Sequence, residues 1–166
     1  MEFLNNFYIL AARLLTLSVI TVAGINGHAF AGGWLIAACC DYRVMNKNKG
    51  FVCMNEIDMN LTPNDSNIEV GMFPGVDLKM TSVLQSKFSQ RIIRDMYLTG
   101  KRYTAPEALV AGLVDDISDE VLNASFRLAN TFASKGIERN RRTIETLKWE
   151  MVRTNVSILR ARTSLL

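Results

Sequence analysis

Apolar residues recur at Leu4, Phe7, Tyr8, Ala11, Leu14 and Leu15, spacings of three and four that predict a helix with one apolar face. The β-branched run at 18–25 then predicts a buried strand. A turn of mostly small residues follows, Asn26-Gly27-His28-Ala29-Phe30-Ala31-Gly32-Gly33, and it opens a short apolar helix over 34–40. Residues 41–45 predict a strand, 46–50 a polar turn and 51–54 another short strand. Over 60–75, Pro63, Pro74, two glycines and the polar cluster Asn64-Asp65-Ser66-Asn67 predict a loop.

Beyond that loop the pattern is mainly helical. Residues 78–87 and 90–98 have helical spacing, and Gly100 ends the second helix. Thr104-Ala105-Pro106-Glu107 is a helix start, with Thr as N-cap, Pro in the first turn and Glu at the capping-box position. Gly112 closes that helix, 113–117 predict a strand, and 119–134 and 139–159 predict long amphipathic helices. Strand, glycine turn, helix and strand, followed by a helical tail, define an α/β protein with a helical C-terminal part.

Composition narrows the picture. With 166 residues and 49% hydrophobic content, the chain fits one domain with a proper core, and a disordered chain is excluded. A net charge of +3 does not call for a nucleic-acid partner. That charge is uneven: from Val121 to Leu166 nine Lys or Arg stand against three Glu. The plain expectation is a solvated helix face; the functional one is attraction of a phosphate-bearing ligand or partner. Cys39, Cys40 and Cys53 are odd in number and lack metal-ligand spacing, so they read as small buried hydrophobes in a reducing compartment. The apolar N-terminal stretch 3–25 is interrupted by Asn5, Asn6 and Arg13 and changes period midway. A spanning helix needs about 20 residues of one continuous type, so no membrane span is expected.

Gly32-Gly33 directly before a helix places unobstructed backbone N–H groups at a positive helix end, suited to a phosphate or a developing oxyanion. No Walker pattern and no complete G-x-G-x-x-G is present. His28 is the one histidine, and without a nucleophile elbow it reads as a packing or backbone-bonding residue. Acid–base work then falls to carboxylates. Glu56 and Glu69 both stand in apolar settings, where burial raises a carboxylate pKa and makes it a usable proton carrier.

These pieces resemble the crotonase (enoyl-CoA hydratase/isomerase) family. The likeness rests on 25–33, on Asp41-Tyr42-Arg43, on 50–56, on 98–104 and on 107–115, in collinear order. It is strongest toward the Δ3,Δ2-enoyl-CoA isomerase branch. Hydratases of the family carry a second glutamate two residues after the last glycine of the turn; here that position is Leu35. Isomerases use one glutamate further on, in an Asn-Glu or Ser-Glu pair, which Asn55-Glu56 matches. The resemblance implies an α/β fold of the ClpP/crotonase type, a fragment of a ββα spiral, with a partial core at 1–118 and trimerisation-type helices at 119–166. It implies Glu56 and the Gly32 N–H as the catalytic pair, and Ala29, Phe30, Gly33 and Leu35 as substrate-binding positions. The substrate would be an acyl-CoA thioester, with coenzyme A part of the substrate and no metal or separate cofactor.

The same resemblance carries further expectations. Residues 58–68 look like an insertion beside the catalytic position and leave Glu69 as a rival; Glu56 is preferred because it keeps its distance from Gly50-Phe51. Family members carry a portion before the first helix that supplies the other oxyanion donor and much of the CoA surface. The 166-residue chain is therefore expected to show no measurable turnover by itself. The alternative is a truncated, non-catalytic interaction subunit that joins homo- or hetero-oligomers, trimers in this family, through its C-terminal helices. Peroxisome or mitochondrion would be the compartment, although neither the end Thr163-Ser164-Leu165-Leu166 nor the Arg-poor N-terminus is a convincing address.

Overall fold

The computed structural model describes residues 2–59 and 78–161. The expected first helix is α1 (Glu2–Leu15), and its apolar face buries Tyr8, Ala11 and Leu15. It is followed by β1 (Val22–Ile25), β2 (Ala29–Phe30), α2 (Gly32–Cys39), β3 (Tyr42–Asn46) and β4 (Val52–Cys53). The second part contains α3 (Leu78–Lys87), α4 (Gln90–Thr99), α5 (Ala105–Val110), β5 (Asp116–Ser118), α6 (Val121–Thr131) and α7 (Arg141–Arg160). The helix boundaries follow their sequence signals. Gly100 caps α4 in the left-handed region at φ 58°, and the Glu107 carboxylate accepts hydrogen bonds from the Thr104 N–H (2.9 Å) and hydroxyl (2.7 Å) at the start of α5.

The strands form two sheets. β1, β3 and β5 pair in parallel as one sheet, while β2 and β4 pair in parallel as a separate small one. The expected strand at 51–54 therefore belongs to a different sheet from those at 18–25, 41–45 and 113–117. Glycine contact is the physical reason. Gly50 has φ +90°, and a Cβ there would lie 2.2 Å from the Gly27 carbonyl oxygen. Two turns meet backbone to backbone at that point, so both chains leave the larger sheet together and re-pair as β2 and β4. Tyr103 adds an antiparallel bridge to Val52 on the far side of β4. The repeated strand–turn–strand–helix path is the ββα unit.

α2 is apolar on every side, the pattern of a helix buried all round, and Trp34, Leu35, Ala38 and Cys39 are almost wholly enclosed. Ile36 of the same helix is half-buried. All three cysteines are free, and burial pushes the Cys39 thiol up to about 12.

Most basic residues of α7 face outward. Lys148 turns inward, donating to the Val19 carbonyl (2.6 Å) and pairing with Asp41. The same Asp41 oxygen accepts from the Thr21 N–H (2.7 Å) and hydroxyl (2.9 Å), so α7 is tied to the start of the large sheet. Breaking a buried pair from one side leaves a charge uncompensated. Lys148→Met is accordingly expected to lower stability by about 3 kcal/mol in a denaturant titration; a loss below about 0.5 kcal/mol, the surface-substitution level, would contradict this.

Candidate active site

The first half of the site is the turn between β2 and α2. Ala31 connects them at φ 47° and ψ −116°, and it is the one non-glycine residue with positive φ among those described. Such backbone costs roughly 1–3 kcal/mol and persists only where its surroundings enforce it. Here the Ala31 N–H donates to the Cys53 carbonyl (3.0 Å), and the Ala31 carbonyl accepts from the Leu35 N–H (2.9 Å). Gly32 starts the helix, so its N–H has no partner within α2 and stands at the positive helix end. On the α1 side, Phe7 would lie 3.4 Å from a Cβ at Gly32.

The second half follows β4. Parallel pairing matches Ala29 with Val52 and Phe30 with Cys53, so both strands exit at the same edge of the small sheet. Gly32 lies two residues beyond one exit and Glu56 three beyond the other. Glu56 is only 6% exposed, and its Oε2 has no hydrogen-bond partner among the described residues. Burial raises its pKa above the usual carboxylate range, partly opposed by a hydrogen bond from its own backbone N–H. A carboxyl group whose charged form is disfavoured by burial holds a proton more readily than an exposed one, which suits it to carry a proton.

A third segment closes the side. The Cys53 thiol donates to the Gly100 carbonyl (3.2 Å), and a Cβ on Gly100 would meet the Asp58 carboxylate at 3.0 Å. Arg102 lies 3.9 Å from Asp58 and 5.7 Å from the centroid of the Phe30 ring. Sequence reasoning gave Ala31, Asp58, Arg102 and Phe7 no role in the site.

The sequence-derived positions divide by exposure. Gly33 is open to solvent and Phe30 half-buried, whereas Ala29 is 7% exposed and Leu35 wholly enclosed, so the last two present almost no surface to a ligand in this conformation. Glu69 lies outside the described residues. His28 is exposed and packs on Phe30 and Phe51, with ring centroids at 5.1 and 5.6 Å. A cleft of about 470 Å³ lined by Gly24, Asn26 and residues 120–123 shares no residue with this site. Among the described residues there is no group of three or more His, Cys, Asp or Glu able to hold a metal ion, and no helix long and apolar enough to cross a membrane.

Two parallel sheets joined by glycine turns, with a helix start and a buried glutamate at one edge of the smaller, define the crotonase fold. A solved structure titled probable enoyl-CoA hydratase, from Mycobacterium tuberculosis, shares it with a TM-score of 0.77 at 22% identity, over 96% of this chain and 61% of that one. The family model described as enoyl-CoA hydratase/isomerase matches residues 2–166, and the chain belongs to that family. It is 30% identical over 139 residues to the peroxisomal enoyl-CoA delta isomerase 2 of Arabidopsis thaliana, covering 81% of this chain and 52% of that protein. It is 32% identical over 120 residues to the mitochondrial enoyl-CoA delta isomerase 1 of Mus musculus, covering 72% and 37%. The chain thus spans about half the length, or less, of these relatives.

Proposed function

We propose that this site carries out enoyl-CoA isomerisation, moving a double bond of a fatty acyl-CoA from C3 to C2 in fatty-acid oxidation. The observation that carries the reading is Glu56: a buried carboxyl with one unpartnered oxygen, at the edge where the Gly32 N–H also emerges. Ionised Glu56 takes a proton from C2, and the electron pair delocalises into a dienolate whose charge collects on the thioester oxygen. The Gly32 N–H stabilises that oxygen. Protonated Glu56 then returns the proton to C4, leaving the double bond conjugated with the thioester. The balance is one proton out and one in, with no redox change. The relatives' names support acyl-CoA as the ligand class and peroxisome or mitochondrion as the compartment; association with other crotonase-like chains completes the proposal.

One carboxylate suffices for this reaction, whereas hydration needs a second group to handle water. Leu35 cannot supply one. The test is to offer the purified protein 3-enoyl-CoA and crotonyl-CoA in parallel. In a complete or complemented form that is active, isomerisation is expected to exceed hydration at least tenfold, about 1.4 kcal/mol in barrier, and efficient hydration by the purified protein would overturn the branch assignment. Turnover at rates typical of enzymes, roughly 1–10³ per second, would set aside the expectation that the 166-residue chain is silent alone. Silence combined with tight association to a full-length family member would favour the interaction subunit instead.

A further inference from the structure

We propose that Ala31 is a positioning residue: its clamped, left-handed backbone aims the Gly32 N–H at the oxyanion and holds it there. The proposal rests on the isomerase reading above, and it concerns a residue that does not itself touch the substrate.

A φ of 47° with ψ −116° is the region of the first central residue of a type II′ turn, where glycine is the usual occupant. Alanine stays there only because both of its peptide groups are held. On the N-terminal side the small sheet grips it through Ala29 N–H to Phe51 (2.9 Å) and Ala31 N–H to Cys53 (3.0 Å). On the C-terminal side α2 grips it through Leu35 N–H to the Ala31 carbonyl (2.9 Å). Relaxing the dihedrals would break one of these bonds.

The chemical consequence lies in the next peptide. The Ala31–Gly32 peptide plane carries the Gly32 N–H, so the angles at Ala31 set its direction. Glycine at 31 would satisfy the same turn without strain, yet it would let that plane swing among several wells. A Cβ removes most of those wells, and the flanking hydrogen bonds hold the peptide in the one observed. The result is a donor that does not reorganise when charge develops, which is the source of oxyanion stabilisation. Gly32 and Gly33 cannot supply this rigidity, and Gly33 is open on its surface side.

The experiment compares the purified protein with Ala31→Gly and with Ala31→Ser, which keeps a Cβ at the same backbone angle. Acetoacetyl-CoA serves as the enolate probe, read by its near-ultraviolet absorbance, and butyryl-CoA as the saturated control. Ala31→Gly is expected to melt at or above the temperature of the unaltered protein and to bind butyryl-CoA equally. Its enolate complex should weaken about tenfold. Ala31→Ser should behave like the unaltered protein. Unchanged enolate binding in Ala31→Gly, a lowered melting temperature or failure to fold, or a Ser variant matching the Gly variant would each overturn the proposal alone. If the unaltered protein binds neither ester, the isomerase reading falls and this proposal with it.

Discussion

In an active, complete or complemented form, Glu56→Gln is expected to abolish double-bond migration, lowering kcat by about 10²–10⁴, the span ordinarily supplied by a positioned acid–base group. Binding of a saturated acyl-CoA should change little, because glutamine keeps the shape of the side chain. Chromatographic measurement of 2-enoyl-CoA formation, alongside direct titration with butyryl-CoA, separates the two effects. A variant retaining more than a tenth of the activity would remove Glu56 from the mechanism. The pH dependence has a defined sign. The base form must be ionised to start the cycle, so kcat/KM should fall on acidification through the raised pKa of Glu56, above the ordinary carboxylate range. Stability should move the other way. The folded state binds the Glu56 proton more tightly than the unfolded chain, so stability is lost as pH rises from the unfolded pKa through the folded one. Glu56→Gln should therefore melt higher than the unaltered protein at neutral pH while losing its chemistry.

Gly50→Ala is expected to cost about 4 kcal/mol or more, combining left-handed backbone strain with overpacking. The new Cβ would lie 2.2 Å from the Gly27 oxygen and 2.3 Å from its carbonyl carbon, and backbone cannot move aside as a flexible side chain can. Because the two turns hold β2 against β4, the damage should reach the site: soluble yield and acyl-CoA binding fall together. Gly33→Ala, with nothing within 4 Å of its Cβ, is the control and should keep its fold. Equal melting temperatures for Gly50→Ala and the unaltered protein would show that the two turns do not determine the re-pairing of the strands.

Two local features of this region were legible in the sequence. The Gly32-Gly33 pair announced a helix start with free N–H groups, and the apolar setting of Glu56 announced a perturbed carboxyl, which the buried Oε2 and raised pKa display. Other features had no local signal. Lys148 belongs to a basic, amphipathic segment and gave no sign of turning inward, because its partner Asp41 is 107 residues away. Arg102 and Asp58 meet only because the segment after α4 folds back along β4. The expected strand at 113–117 forms at Asp116–Ser118, since Leu113 and Val114 go into the core before pairing begins with β3.

By itself the sequence determined the helices and their buried faces, the apolar character of α2, the family motifs, and the apolar setting of Glu56. Each of these depends on spacing or residue type within a few positions, which hydrophobic period, capping chemistry and motif order report directly. Tertiary structure decided that the strands divide into two sheets, that Asp41 closes on Lys148, and that Ala31 is held where glycine normally sits. Those outcomes depend on which surfaces meet. Alternation along a strand tells which face is buried but not which neighbour covers it. The strain at Ala31 exists only because two hydrogen-bonded neighbours, one on β4 and one in α2, grip it from both sides.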